Sequence, residues 1–288
     1  MNGILLIDKP EGITSADVVR RVKRRAGAKV GHLGTLDPFA TGLLPLCLGE
    51  ATKIAQFLNT ADKRYEGIIA LGRSTDTGDR TGAALHTADV PDLARVDLAA
   101  LAHRFEGDRM QTPPMYSALK RDGVPLYRLA RQGVEVERSA RPVRIERLAL
   151  ERSGTTGLRF QLDCSKGTYV RVLAEEIGAA LGSAAHLDAL RRTAFGPFTI
   201  EAAVTLDAWD PELPAGFVAL HRALAHLPAV SIDRQGADAV RQGKSWPLRG
   251  LAADLGREAV LLGPAGDVVA VVVRNGPLWE YGRVLGVA

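Results

Sequence analysis

The spacing of apolar and polar residues predicts a strand and a helix at the start of the chain. Residues 3–7 are dominated by an apolar run that ends at a Lys-Pro-Glu-Gly segment, which is typical of a strand followed by a turn. Valines then recur at helical spacing. We predict a helix over residues 15–26 that Ser15 caps and Gly27 ends.

The same mixture of patterns continues through most of the chain. Further helices are predicted over residues 50–59, 94–105, 125–132 and 168–181, and further strands over 65–71, 143–150 and 158–164, of which the last two could pair. The elements follow no regular β-α-β order. We therefore predict an α+β fold in which helices and loops flank a mixed, largely antiparallel central sheet.

A change in composition near residues 215–228 predicts a domain boundary. Beyond it, four short predicted strands are separated by Gly and Pro, at residues 230–232, 259–262, 268–273 and 280–285. This arrangement is typical of a small β-rich domain. We predict one domain over residues 1–225 and a second over residues 226–288.

Residues 31–45 are rich in Gly and Pro and contain a single acidic residue, Asp37. Because Gly is flexible and Pro lacks an amide donor, we predict a shaped loop here rather than a helix or a central strand. Pro38 restricts Asp37 to extended geometry and so directs its side chain. An Asp-Pro pair is most often only a turn, but the basic segment before it and the Gly-rich segment after it favour a carboxylate presented to RNA.

The charge distribution supports an acidic partner. The 288-residue chain is 46% hydrophobic, enough for a core, and has a net charge of +4 and a pI of about 9.2. Basic side chains are concentrated in residues 18–29 and again in residues 120–147. A solvated helix face would show the same pattern as a phosphate-binding surface. The candidate phosphate contacts are Arg20, Arg21, Arg24 and Arg25 in the first cluster and Lys120 in the second.

Several classes of protein are disfavoured by composition. Cys47 and Cys164 form no CxxC pair and the histidines lack metal-ligand spacing, so we expect no disulfide, no metal and a reducing cytoplasm. No apolar stretch approaches the length of a membrane span, and the first apolar run is too short for a signal peptide. We therefore expect an intracellular protein without a membrane partner.

Three short motif matches are weak. Ser117 and Lys120 form an SxxK, which would predict a serine acylase, but the accompanying KTG is scrambled at residues 166–168. Residues 76–78 match the aspartic-protease triplet but follow polar residues, which favours a turn. Residues 243–245 resemble the end of a P-loop but lack its first glycine.

A stronger constellation combines Asp37 with three residues of other segments. His32 precedes Asp37 in the same loop, Tyr65 opens a predicted strand after Lys-Arg, and Arg171 begins a predicted helix. If Thr168 caps that helix, Arg171 occupies the position where a capping box would carry Glu. A cation there opposes the helix dipole, and Asp37 is our candidate for the neutralising anion.

Together these segments resemble the TruB-type tRNA pseudouridine synthases, which act on the T-loop uridine conventionally numbered 55. The matching pieces keep the family's order across about residues 3–200, at 6–10, 31–45, 49–53, 62–65, 71–72, 75–77, 116–120, 130–133, 164–171 and 190–192. Beyond residue 228 the likeness is weak. The family usually ends in a small RNA-binding domain similar to PUA, and the β-rich tail is compatible with one.

The resemblance implies base flipping and covalent catalysis without a cofactor or metal. It implies that Asp37 is the nucleophile, that Arg171 pairs with it, and that Tyr65 packs on the target base and helps to move its C5 proton. The same resemblance implies further substrate-binding roles for His32, which fills the space the base leaves, and for Tyr169, Leu190 and Lys9.

The resemblance also implies a partner, and it leaves alternatives open. The expected partner is the T-arm stem-loop of tRNA, bound by a monomer without a guide RNA. One alternative is a non-catalytic RNA-binding or RNA-folding protein of the same fold, and another is a guide-RNA-dependent relative that works inside a larger particle.

Overall fold

The computed structural model describes residues 1–58, 61–212 and 215–286. The helices are α1 (Ser15–Ala26), α2 (Ala55–Leu58), α3 (Leu98–His103), α4 (Leu126–Arg131), α5 (Val170–Ala180), α6 (Leu220–Ala223) and α7 (Arg234–Arg241). The strands are β1 (Gly3–Lys9), β2 (Val30–His32), β3 (Thr41–Leu48), β4 (Lys63–Leu71), β5 (Arg73–Thr75), β6 (Ala84–Thr87), β7 (Gly107–Gln111), β8 (Lys120–Arg121), β9 (Val124–Pro125), β10 (Arg141–Ser153), β11 (Gly157–Cys164), β12 (Ala185–Phe195), β13 (Phe198–Thr199), β14 (Val204–Thr205), β15 (Phe217–Ala219), β16 (Ala229–Ser231), β17 (Glu258–Leu262), β18 (Val268–Asn275) and β19 (Leu278–Val284).

A large mixed sheet forms the centre of the molecule, in the order β14-β1-β3-β12-β4-β11-β10-β7, with β2, β13 and β15 paired at its sides. Within the described residues, only the β1–β14 and β3–β12 pairs of this sheet are parallel. The predicted α+β fold with a largely antiparallel sheet is confirmed, as is the predicted pairing of β10 with β11.

One central strand lies where the sequence predicted only loop. β3 crosses the second half of the Gly- and Pro-rich segment, so the loop is confined to residues 33–40. β3 pairs with β1 along its length, but its other edge meets β12 only at Thr41 and Gly42 and meets β2 only at residues 46–48. Pro45 lies between these two contacts, where its missing amide is not needed. Gly42 has a φ of +99°, and a Cβ there would come within 2.3 Å of the Arg192 carbonyl oxygen.

Helix ends also differ from the prediction. Thr14, not Ser15, caps α1, in a capping box with Asp17, while Gly27 ends the helix at a φ of +60° as expected. The helix predicted over 50–59 is a 3₁₀ turn over Gly49–Lys53 followed by α2, and residue 59 lies outside the described residues. The helix predicted over 94–105 is likewise a 3₁₀ turn followed by α3, because the Asp97 side chain caps a new start.

Two apolar cores lie on opposite faces of the β1–β3 part of the sheet. The first is formed by the sheet with α1, α3 and α5. The second joins the other face of β1 and β3 to the C-terminal sheet, which has the order β16-β17-β18-β19. Apolar residues from both parts meet there, among them Leu43, Cys47, Val260 and Val271. The predicted β-rich C-terminal unit is confirmed; its boundary at residue 225 and its likeness to PUA stay predictions.

Candidate active site

The loop that carries Asp37 is held by its neighbours in sequence and space. The Ser15 hydroxyl donates to the Leu36 carbonyl and accepts from the Leu36 amide, both at 2.9 Å. The Gly12 amide donates to the Pro38 carbonyl at 2.8 Å. Because Leu36 and Pro38 flank Asp37, these bonds hold the carboxylate from both sides.

Lys9 is fully buried beneath the same loop. Its ammonium donates to the carbonyl oxygens of Pro10 at 2.9 Å, Ile13 at 2.8 Å and Pro38 at 3.2 Å. Burial lowers the pKa of Lys9 to about 8, although the nearby Asp37 carboxylate opposes that change. Lys9 therefore joins β1 to the Asp37 loop. Its predicted contact with substrate stays a prediction.

Asp37 and Arg171 form the ion pair that the sequence predicted. Arg171 Nε lies 2.9 Å from Asp37 Oδ2, and its other two nitrogens donate to the carbonyl oxygens of Thr77 at 2.6 Å and Tyr116 at 2.7 Å. The Arg171 side chain is only 6% exposed while that of Asp37 is 34% exposed. The guanidinium is thus fixed inside the protein, and the carboxylate it orients still reaches solvent.

Several opposing influences act on the Asp37 carboxyl, and together they raise its pKa above the usual value. Burial raises its pKa, and the Arg171 guanidinium is the largest influence that lowers it. The Asp79 carboxylate also raises the pKa of Asp37, and Lys9 lowers it. Arg171 therefore favours the ionised carboxylate, which is the form that can act as a nucleophile.

The N-cap of the helix that carries Arg171 lies one residue later than predicted. Tyr169 is its N-cap, and the Thr168 hydroxyl donates to the Ser165 carbonyl at 3.0 Å instead of capping the helix. The Gln111 side chain binds the Tyr169 backbone at both its amide (2.7 Å) and its carbonyl (3.2 Å). Arg171 still lies in the first turn of α5, where its charge opposes the helix dipole and Asp37 offsets it.

Asp79 is a site residue that the sequence analysis missed. Its Oδ2 lies 4.0 Å from Arg171 Nε, and its Oδ1 accepts from the Thr77 hydroxyl and the Thr81 amide, each at 2.9 Å. The side chain is buried. Asp79 directly follows residues 76–78, which the sequence predicts to be a turn. The one sequence signal for a site residue here is the acidic side chain of Asp79 itself.

A cavity of about 320 Å³ opens beside Asp37. This is within the usual range for small-molecule sites, about 300–1,000 Å³. The lining includes five of the predicted site residues, which come from the loop, β4, the start of α5 and β12: Asp37, Tyr65, Tyr169, Arg171 and Leu190. It also includes Lys63, Ser117 and Arg192, which were not predicted as site residues.

Tyr65 forms part of the floor of this cavity. It lies on β4, directly opposite Leu162 of β11 and Arg192 of β12, and is almost fully buried. Burial raises the pKa of the Tyr65 hydroxyl, and the Arg192 guanidinium is the main influence that lowers it. The aromatic ring thus faces the same space as the Asp37 carboxylate.

Other predicted residues lie outside this cavity in the part of the chain that is described. His32 is on β2, and burial lowers its pKa, helped by Arg192, so its ring is neutral at pH 7. Lys120 is exposed on the β8–β9 hairpin, whereas Ser117 is buried against the cavity. The described hydrogen bonds include none between the two side chains of the SxxK match.

The predicted phosphate contacts on α1 are all exposed. Arg21 and Arg24 form no ion pair with a described residue. Arg20 pairs with Asp17, and the Arg25 guanidinium lies 5.2 Å from the centroid of the Trp209 ring. The stripe opposite the apolar face of α1 is therefore a basic surface.

Among the described residues, no three His, Cys, Asp or Glu side chains are grouped so that they could hold a metal ion. No helix in the described ranges is both long and apolar enough to cross a bilayer.

Comparison with known proteins assigns this chain to a class. The model of the TruB family pseudouridylate synthase N-terminal domain matches residues 20–170, and that of the tRNA pseudouridylate synthase B C-terminal domain matches residues 171–210. Both models describe pseudouridylate synthases, and together their matches cover residues 20–210 of this chain.

Individual relatives identify the family. The chain is 51% identical to tRNA pseudouridine synthase B of Burkholderia mallei over 258 residues, covering 88% of this chain and 85% of the relative. It is 52% identical to tRNA pseudouridine synthase B of Aromatoleum aromaticum over 253 residues, covering 85% and 80%. A chain of the Cbf5-Nop10-Gar1 complex superposes with a TM-score of 0.73 at 27% identity, covering 99% of this chain and 84% of that one. The chain belongs to the TruB family of pseudouridylate synthases, as its resemblance to that family predicted.

Proposed function

We propose that this chain is a tRNA-modifying isomerase that converts the uridine at position 55 of the T-loop to pseudouridine. The observation that carries the proposal is the Asp37–Arg171 pair, 2.9 Å apart, at a cavity that Tyr65, Tyr169 and Leu190 also line. The relatives that are about half identical over most of the chain carry the name tRNA pseudouridine synthase B.

The reaction breaks the N1–C1′ bond of the uridine and forms a C5–C1′ bond, with loss of the C5 proton and protonation of N1. A carboxylate suits this sequence because it can attack, form a covalent intermediate and leave again. Asp37 supplies that carboxylate, and Arg171 holds it ionised and oriented through the ion pair.

The target base must leave its stack before it can reach Asp37, because the cavity lies within the protein. Tyr65, Tyr169 and Leu190 provide aromatic and apolar surface for a pyrimidine ring. His32 fills the space that the base leaves, and Lys9 supports the loop beneath it. The basic surface of α1, with Lys120 on the β8–β9 hairpin, contacts the phosphates of the T-arm.

The rest of the assignment concerns assembly and domains. The enzyme acts as a cytoplasmic monomer without a guide RNA or a cofactor. Residues 1–225 form the catalytic domain, and residues 226–288 form a PUA-like RNA-binding domain. The four-stranded C-terminal sheet supports this division, although it shares an apolar core with β1 and β3.

The decisive test uses a T-arm hairpin tritiated at the C5 position of the target uridine. We expect the purified chain alone to release tritium to water, and we expect Asp37→Asn to release none. Release that requires an added guide RNA would favour the guide-dependent alternative. Tight binding of the hairpin without release would favour the non-catalytic RNA-folding alternative.

A further inference from the structure

A buried arginine beside the cavity has no role in the mechanism given above. Arg192 is fully buried, and its Nε donates to the Leu43 carbonyl at 2.7 Å while Nη2 donates to the Gly34 carbonyl at 2.9 Å. The third nitrogen, Nη1, is also buried and forms no hydrogen bond of standard geometry with a described atom, although the Tyr65 hydroxyl is close enough to interact with the guanidinium. A buried donor without a partner destabilises the fold, so an acceptor oxygen close to Nη1 would stabilise this guanidinium.

The position of Arg192 directs this free donor towards one neighbour. Arg192 lies directly opposite Tyr65 in the β12–β4 ladder, and both side chains line the cavity. Side chains directly opposite each other on one face of an antiparallel pair are close enough to interact. The two carbonyl bonds and the Phe195 ring, whose centroid is 5.4 Å from Cζ, hold the guanidinium in this place.

Among the described residues, no carboxylate forms an ion pair with the Arg192 guanidinium. The ion pairs of the described residues do not include Arg192, whereas Arg171 is paired with Asp37 and lies near Asp79. Burial lowers the pKa of Arg192, and the Tyr65 hydroxyl is the neighbour that raises it. Tyr65 therefore supplies the oxygen that can receive the unused N–H.

We propose that Arg192 is a positioning residue that orients Tyr65 and stabilises its phenolate form during removal of the C5 proton, with Nη1–H bound to the phenolate oxygen. This inference rests on the proposed function. Once C5 is joined to C1′, the C5 proton passes to the Tyr65 oxygen and the C5–H electron pair forms the C5–C6 double bond. The π pair between C6 and N1 moves onto N1, which takes a proton from water. Tyr65 returns to the phenolate by releasing its proton to water.

Other charged and titratable groups also face Tyr65. Asp37 and Cys164 raise the pKa of Tyr65, as burial does, and Arg192 provides the largest opposing effect. The remaining such groups of the cavity lining are Lys63, Tyr169 and Arg171. Loss of Arg192 therefore raises the pKa of Tyr65 further and makes the phenolate scarcer at neutral pH.

The test measures single-turnover tritium release from the C5-labelled hairpin as a function of pH. We expect Arg192→Met to slow release at least about tenfold at neutral pH, with a deficit that shrinks as the pH rises. Arg192→Lys should restore part of the rate. In a Tyr65→Phe background, Arg192→Met should not slow tritium release any further, because Arg192 acts through the Tyr65 hydroxyl.

The matched control is Arg191→Met, on the same strand. Arg191 points to the other face of the sheet and pairs with Asp8 at 2.7 Å, so its loss should not change the pH profile. The proposal would be overturned if Arg192→Met slowed tritium release by the same factor at every pH. It would also be overturned if Arg192→Met slowed release by the same factor with Phe at position 65 as with Tyr65. If Arg192→Met does not fold, the ultraviolet titration of Tyr65 in Arg192→Lys decides, since an unchanged titration contradicts the role. Absence of tritium release by the unmodified enzyme would instead contradict the proposed function.

Discussion

Two groups of arginines in this protein illustrate different uses of the same side chain. Arg171 and Arg192 are buried beside the cavity, and backbone carbonyl oxygens fix their guanidinium groups. The arginines of α1 are exposed, and two of them, Arg21 and Arg24, form no ion pair with a described residue. Buried arginines act through geometry and local electrostatics, whereas exposed ones act through the field that they add to a surface.

The largest expected effect comes from breaking the buried pair. Arg171→Ala should lower the rate of pseudouridine formation about a hundredfold or more, while RNA binding changes little, because the guanidinium orients and ionises Asp37. Its removal raises the pKa of Asp37, so the acid limb of the rate profile should move to higher pH. Quenched time courses measure the rate of pseudouridine formation and filter binding measures the affinity for RNA, with Arg171→Lys as the conservative control. Equal losses of rate and affinity would contradict the pairing role.

A smaller effect, with the opposite sign in pH, is expected at Asp79. Asp79→Asn keeps an acceptor oxygen for Thr77 and Thr81 but removes the carboxylate charge 4.0 Å from Arg171. Because that charge raises the pKa of Asp37, the acid limb should move to lower pH, with a loss of rate of about tenfold from the freer guanidinium. A shift in the same direction as Arg171→Ala would show that Asp79 does not act electrostatically on Asp37.

The exposed arginines should alter binding and not chemistry. The double change Arg21→Gln with Arg24→Gln should reduce the slope of log affinity against log salt by about one to two, and leave the rate at saturating RNA unchanged. The matched control removes Arg95 and Arg152, which are also exposed but lie on other elements. An unchanged slope in the α1 variant would exclude this helix as a phosphate-binding surface.

The smallest expected effect is on stability, and it concerns Arg25, an exposed arginine that also contacts an aromatic ring. Arg25 belongs to the exposed cluster but lies over the Trp209 ring at 5.2 Å. Arg25→Ala should lower the free energy of unfolding by about 0.5–1 kcal/mol, as expected for an exposed cation–π contact, whereas Arg24→Ala should not. Urea denaturation compares the free energies of unfolding of the two variants. Equal values would show that Arg25, like Arg24, contributes only its charge to the surface.

Local sequence rules account for much of the fold. The apolar runs predicted β1, β4, β10 and β11, and Gly27 ends α1 as expected. Among the strands that were not predicted, β3 and β12 lie at the centre of the sheet, and their sequences interrupt the alternation of apolar and polar residues. β3 contains Gly and Pro at positions where its pairing partner changes, and β12 has two register shifts against β4. Such interruptions have no local signature because the partner strand that accommodates them is distant in sequence.

The sequence by itself determined the family of this protein and the groups proposed for its chemistry: an aspartate directed by a following proline, an arginine in the first turn of a helix, and an ordered set of matching segments. Only the tertiary structure decided which groups surround that aspartate. Asp79 reaches Arg171, and Arg192 faces Tyr65, through a loop and a strand pairing that bring together residues far apart in the chain. Burial then alters their proton affinities, and burial is a property of the packed fold rather than of any segment.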